Sequence, residues 1–282
     1  MKPKSRLYAL VRNWTNKPIQ TVKEAPQGSL RIPSGSCQLE IKDWLTAQEL
    51  SYEPVLSVKD LTLHSVILQE LNECSEEDVI RLFKQGISAA NYWQSSAKPI
   101  SIVMPMKTDW LCNKHMLNSI QNALFNCHLP IGLIQVALLD RPNTIQETAL
   151  QEALIKLQRI GILLQLRNFE ADEYDCLLLQ QHSFTSVDIS SQLIRLAIPG
   201  SECEKKLIQI LNVAKKNHSI CITGPLRLLH DTSVVKKHGF DAQYGPIVMP
   251  TMTLHQVLKF NGNATQKMAI KSHLNHQESN RS

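Results

Sequence analysis

Where the apolar run 162–166 ends, the chain reads Arg167-Asn168-Phe169-Glu170. A buried strand there delivers an arginine and an amide to whatever lies beyond it. A guanidinium in that place has two uses: it forks onto a phosphate or carboxylate ligand, or it pairs with an acid of the protein itself. Asp140 and Asp188 stand at the ends of neighbouring apolar runs, and an internal ion pair with one of them is the expected state of Arg167.

Other reactive side chains carry less. His182, His218, His230 and His238 fall at helix ends or in loops without a nucleophile-elbow sequence and read as helix-surface histidines. Met104 and Met106 flank Pro105 and read as core packing. Seven cysteines show no Cys-x-x-Cys and no Cys/His ligand spacing, so they are expected as reduced thiols, most of them filling the core.

The elements that position these groups follow from hydrophobic pattern. From residue 51 onward, apolar bursts at 51–58, 63–69, 100–104, 132–139, 162–166, 184–189, 219–223 and 245–249 alternate with helix-period segments. Several bursts are nearly continuous, as strands buried on both faces are. The first two are too close for a crossover and form a hairpin; the later gaps hold helices. Ser75, Thr144-x-x-Glu147 and Ser201-x-x-Glu204 mark helix starts, and Gly239 marks a helix end. Ile145, Ala149, Leu150, Ala153, Leu154, Leu157 and Ile160 form one apolar stripe. The expected fold is α/β: a (β/α)8 barrel with an antiparallel first strand pair. An open doubly wound sheet is the alternative, but no Gly-rich phosphate loop follows a strand.

Three regions are expected: a basic extension 1–42, the barrel 43–260 and a polar, mobile tail 261–282. Residues 1–42 hold eight Lys/Arg against two Glu, a net +6; the whole chain is +5, which leaves −1 for residues 43–282. Nucleic acid is therefore a candidate partner only through residues 1–42. The longest apolar runs fall far short of the ~20 residues of a membrane span. The start lacks a signal-peptide core, and the cytoplasm is the expected compartment.

Read in order, "YEPVLSV", "HSVILQE", "SIVMPM", "VALLD", "LRNFEAD", "VDIS", "ITGPL" and "GFDAQYGPIVMP" resemble the strand-end landmarks of the EAL domain, the bacterial phosphodiesterase that opens cyclic di-GMP. The resemblance spans roughly residues 43–260 and implies an EAL-type barrel. It also implies where that family's site residues fall. The Glu-Ala-Leu glutamate falls on Val66, the metal-binding asparagine on Met104, the next metal-binding glutamate on Ala137, and the paired aspartates on Arg167 and Asn168. Lys-Ile-Asp falls on Asp188-Ile189-Ser190, and the Ala-Glu-Gly-Val-Glu strand brings Thr223 to the rim. The ligand-holding glutamine and arginine fall on Glu53 and Glu70.

The family's two-metal hydrolysis needs oxygen donors around cations about 3.5–4 Å apart. Val66, Met104 and Ala137 offer no side-chain oxygen and are expected to plug the cavity with apolar groups. Neither a metal site nor a cofactor is expected, and the chain is expected not to be an enzyme. Its expected function is that of a regulatory protein acting through a protein partner in bacterial signalling: motility, biofilm or transcription control. Cyclic di-GMP is disfavoured, Glu53, Glu70, Arg167 and Asp188 being its candidate contacts. A receptor that holds the dinucleotide without cutting it is the first alternative, and a weakly active phosphodiesterase ranks below that. Homodimerisation stays open.

Overall fold

The structure is a computed structural model that describes residues 50–69, 75–127, 129–130, 132–141 and 147–260. The basic extension, the tail, Glu70 and Thr144 lie outside the described residues. Eight strands close a barrel in sequence order: β1 (Tyr52–Ser57), β2 (Leu63–Leu68), β3 (Ile102–Met106), β4 (Ile134–Leu138), β5 (Leu163–Leu166), β6 (Phe184–Ser190), β7 (Ile220–Gly224) and β8 (Ala242–Gln243). β1 runs antiparallel to both its neighbours, β2 and β8, and every other pair is parallel. The reversal of β1 decides where the site can be. It brings the start of β1, with Glu53, to the end of the barrel where the parallel strands finish.

The hairpin that reverses the chain is locally encoded. Ser57 N donates to Thr62 O at 2.9 Å and Leu61 takes a left-handed φ of 57°. Asp60 Oδ1 accepts from the hydroxyl and backbone N–H of Thr62 at 2.7 and 3.2 Å, the short-range bonding that makes aspartate a turn residue.

Between the strands lie α1 (Glu76–Ser95), α2 (Thr108–Cys112), α3 (Lys114–Phe125), α4 (Glu147–Arg159), α5 (Glu173–Gln181), α6 (Ser191–Leu196), α7 (Glu202–Lys216) and α8 (Leu229–His238), and α9 (Leu254–Lys259) follows β8. Ser75 caps α1 in a full capping box with Asp78, Ser201 caps α7, and Gly239 ends α8 with φ 70°. The apolar stripe of α4 is buried at Leu150, Ala153, Leu154 and Leu157.

The core has two layers. An inner one holds Val55, Ile67, Val103, Ala137, Ile222, Ala242 and Tyr244. An outer one between strands and helices holds Val66, Leu68, Ile102, Met104, Val136, Leu164 and their helix partners.

Two strands differ from expectation. β3 runs two residues past Met104 and through Pro105. Ile102 N bonds toward β4 and Ser101 O toward β2, so alternation turns the nitrogen of Pro105 toward β2. That ladder already ends at Ile67 and Val103, and the missing N–H breaks no bond. The last strand is Ala242–Gln243, not 245–249. Gly245 has φ 124°, and the N–H groups of Val248 and Met249 both fold back onto Gly245 O at 2.9 and 3.0 Å. This is a turn, which leaves no ladder donors for a strand.

Candidate functional site

The mouth of the barrel, where β4 to β8 end, gathers four polar side chains. Arg167 follows β5, and its Nε donates to Asp188 Oδ2 at 3.3 Å. Its Nη2 donates to the Tyr244 hydroxyl at 3.1 Å, and that hydroxyl donates to the same Asp188 Oδ2 at 2.7 Å. Glu53 joins from β1, its carboxyl pushed up by burial and drawn back by the charge of Arg167. The side chains of Arg167 and Asp188 are 15% and 4% exposed, so this pair works away from bulk water, where an unmatched charge is expensive.

Burial leaves a clear electrostatic signature. Asp188 is pushed up to about 6, first by desolvation and further by Glu53, against the lowering effects of Arg167 and Tyr244. Tyr244 is pushed far above its ordinary value by burial and by Asp188. The guanidinium of Arg167 stays charged, since the acids around it outweigh its desolvation. The ion pair expected for Arg167 therefore forms with Asp188. Asp140 does other work: its Oδ1 accepts from Thr108 N at 2.6 Å, capping α2, to which Lys107 lends no side-chain cap.

Beside this cluster, a cavity of about 280 Å³ opens over the ends of β4 and β5, lined by Asp140, Arg141, Arg167, Asn168, Glu170, Tyr174 and Asp175. Its charges are matched from within. Arg141 pairs with Asp172 and with Asp175, and lies over the Tyr174 ring. Asp175 also accepts from Glu170 N at 2.7 Å and Ala171 N at 3.1 Å, while Glu170 meets Lys206 at 3.1 Å.

Several sequence-derived placements need correction. Val66 and Met104 do not plug the mouth. Both belong to the outer layer, and Met104 packs so closely under α1 that a Cβ on Gly86 would come within 2.4 Å of it. Strand side chains alternate, and with Ile67 and Val103 inside, their neighbours must point out. Ala137 is inside as expected. Asn168 is not delivered inward: the chain turns at φ 51° and the residue is exposed at the cavity edge, while the following Phe169 is buried. Ser190 caps α6 by accepting from Gln192 N, and Thr223 donates to Ile189 O at 2.8 Å. Both therefore serve the scaffold. His182 is buried, not on a helix surface, with its ring edge-on to Phe184. Tyr244, the third member of the cluster, lies in the last landmark, "GFDAQYGPIVMP", which does not by itself mark it as a partner of Asp188.

Similarity searches by sequence find nothing: no family model matches the chain, and neither does a curated protein. Comparison of folds is decisive. The structure of the EAL domain of DcpA from Mycobacterium smegmatis superposes with a TM-score of 0.64 at 12% identity, covering 74% of this chain and 93% of that one. The fold is that of an EAL domain. Two further EAL-type structures carry cyclic di-GMP. The phosphodiesterase PaMucR matches with TM-score 0.65, 12% identity and coverage of 77% and 97%, and the FimX EAL domain of Xanthomonas citri with 0.63, 14%, 76% and 94%.

This corrects the expectation that the chain is not an enzyme, because the EAL-type barrel it shares is one on which the phosphodiesterase PaMucR is built. It also bears on the metals implied by the resemblance. Among the described residues, no group of three His, Cys, Asp or Glu side chains is placed to hold a metal ion. At the mouth, Arg167 supplies a fixed positive charge beside Asp188, and Val103 and Ala137 supply no donor, so the described residues do not fit a pair of divalent cations. Among the described residues, no helix is long and apolar enough to cross a membrane.

Proposed function

We propose that this EAL-type barrel is a regulatory module of bacterial cyclic di-GMP signalling that acts by contact with another protein at its strand-end face. One observation carries the reading: the charged groups named at the described part of that face are already bonded within the protein. Arg167 is held by Asp188 and Tyr244, Arg141 by Asp172 and Asp175, and Asp140 by Thr108. A guanidinium already bonded inward gives up those bonds before it can fork onto a phosphate, and the neighbouring carboxylates repel a dianion.

The same rim offers apolar contact instead. Leu196, at the end of α6, and Ile198, just beyond it, are 49% and 60% exposed. Exposed apolar residues beside a polar rim suit a protein contact. Within this reading the chain works in the cytoplasm, residues 43–260 are the contact-making barrel, and residues 1–42 are a basic extension in sequence.

The competing reading is a cyclic di-GMP receptor, and titration calorimetry with the dinucleotide separates the two. The regulatory reading expects no binding in the micromolar range, whether or not Mg²⁺ or Mn²⁺ is present. A micromolar Kd would overturn it in favour of the receptor.

A further inference from the structure

Among the described residues, the mouth of the barrel packs two carboxyls and a phenol around one guanidinium. Asp188 on β6 meets Arg167 from β5, Tyr244 from just past β8 and Glu53 from β1, while its β7 neighbour is the apolar Ile222. Tyr244 and Arg167 both donate to the same carboxylate oxygen, Oδ2. The other, Oδ1, is buried without a donor among the described residues. An anionic oxygen lacking both water and a donor is poorly stabilised, and a second carboxylate lies in the same field. The two contacts to Oδ2 are also unequal: the tyrosine bond is 2.7 Å and that of Arg167 Nε 3.3 Å.

We propose that Asp188 takes up a proton on Oδ1, and that this proton makes the Glu53–Arg167–Asp188–Tyr244 cluster a latch that tightens the mouth of the barrel. With the proton in place, Oδ2 still accepts from Tyr244 and Arg167, and among the described residues of the cluster the guanidinium faces one charged carboxylate, Glu53, instead of two. Without it, two buried carboxylates repel each other and compete for Arg167.

The loop after β5 feels the difference directly. Arg167 begins it, and Phe169 N donates to the backbone carbonyl of Asp188 at 3.0 Å. Arg167 and Asn168 both line the 280 Å³ cavity, so the latch sets the shape of that cavity. Burial places the event near pH 6. The latch stands whether or not the partner at the rim is a protein.

Hydrogen exchange of the full chain, read by mass spectrometry at pH 5 and pH 7 and corrected for the intrinsic rate, tests this. Peptides covering residues 167–171 should be about tenfold better protected at pH 5. Asp188→Asn, which cannot ionise, should show the pH 5 protection at both values. Equal protection of the native chain at the two pH values overturns the latch, as does an undiminished pH effect in Asp188→Asn. Should that variant fail to fold, Glu53→Gln replaces it. Its mouth carries one carboxylate fewer, so its pH effect should shrink at least severalfold, and an effect as large as in the native chain overturns the proposal.

Discussion

Arg167→Ala should destabilise the barrel by about 3 kcal/mol at pH 7, seen as a fall of roughly 6–12 °C in Tm. The cost does not come chiefly from the bond to Asp188, which is 3.3 Å long. It arises because Asp188 and Glu53 are left in a buried mouth without their counter-charge, and removing one partner of a buried pair is what makes such pairs expensive to break.

The sign of the pH dependence follows from the direction of the shift at Asp188. Its folded value of about 6 lies above the ordinary 3.8, so the folded form binds the proton more tightly than the unfolded chain. Stability contributed by this group is therefore present at low pH and lost as pH rises from about 4 to about 6. Without Arg167 the carboxyl is pushed higher still, so the deficit of Arg167→Ala should be smaller at pH 5 than at pH 7. Thermal unfolding of both proteins at the two pH values checks this. A deficit that is the same or larger at pH 5 would contradict the assignment. Replacing both Arg167 and Asp188 by apolar residues of similar volume should recover much of the loss, since no half-paired charge is then left from the couple.

Gly245→Ala should cost about as much for a different reason. Gly245 has φ 124°, a conformation that L side chains rarely adopt. A Cβ there would also lie 2.2 Å from Leu226 N and 2.5 Å from Leu226 O. Those are backbone atoms and cannot swing aside. The clash would separate the segment after β8 from residues 225–226 and break the bond from Leu226 N to Tyr244 O, 2.9 Å long. Tyr244 would then lose its position over Asp188. The expected loss is about 3 kcal/mol or more, and Gly245→Ala should also lose the pH dependence tied to the mouth. A variant as stable as the native chain would show that the turn does not hold Tyr244.

The behaviour of particular residues shows how far the sequence could be read. The order of strands and helices was legible because Val/Ile/Leu-rich bursts separated by capped helical segments have few other arrangements. The hairpin of β1 and β2 was legible from its short link, and with it the arrival of Glu53 at the mouth. Which face of a strand points inward was not legible. β3 is apolar on both faces and β2 carries a polar residue on each, His64 and Ser65, so the period-two alternation that would set their register is absent. The resemblance alone puts Val66 and Met104 at the mouth, and no alternation in the sequence corrects it, while both pack outward under the helices.

The sequence offers Asp140 and Asp188 as partners of Arg167. The choice between them depended on a helix N-terminus that claims Asp140. Tyr244 could not be placed beside Asp188, 56 residues away, without knowing that the chain turns sharply at Gly245.

The proposal that the strand-end face meets another protein is tested most directly by site-specific photo-crosslinking in the native cell. A photoreactive residue at Ile198, on the rim, is compared with one at Ile155, exposed on α4 along the flank of the barrel. The expected result is a discrete adduct with one other protein from position 198 and none from position 155. Absence of any adduct at 198, equal adducts at both positions, or an adduct containing only a second copy of this chain would contradict it.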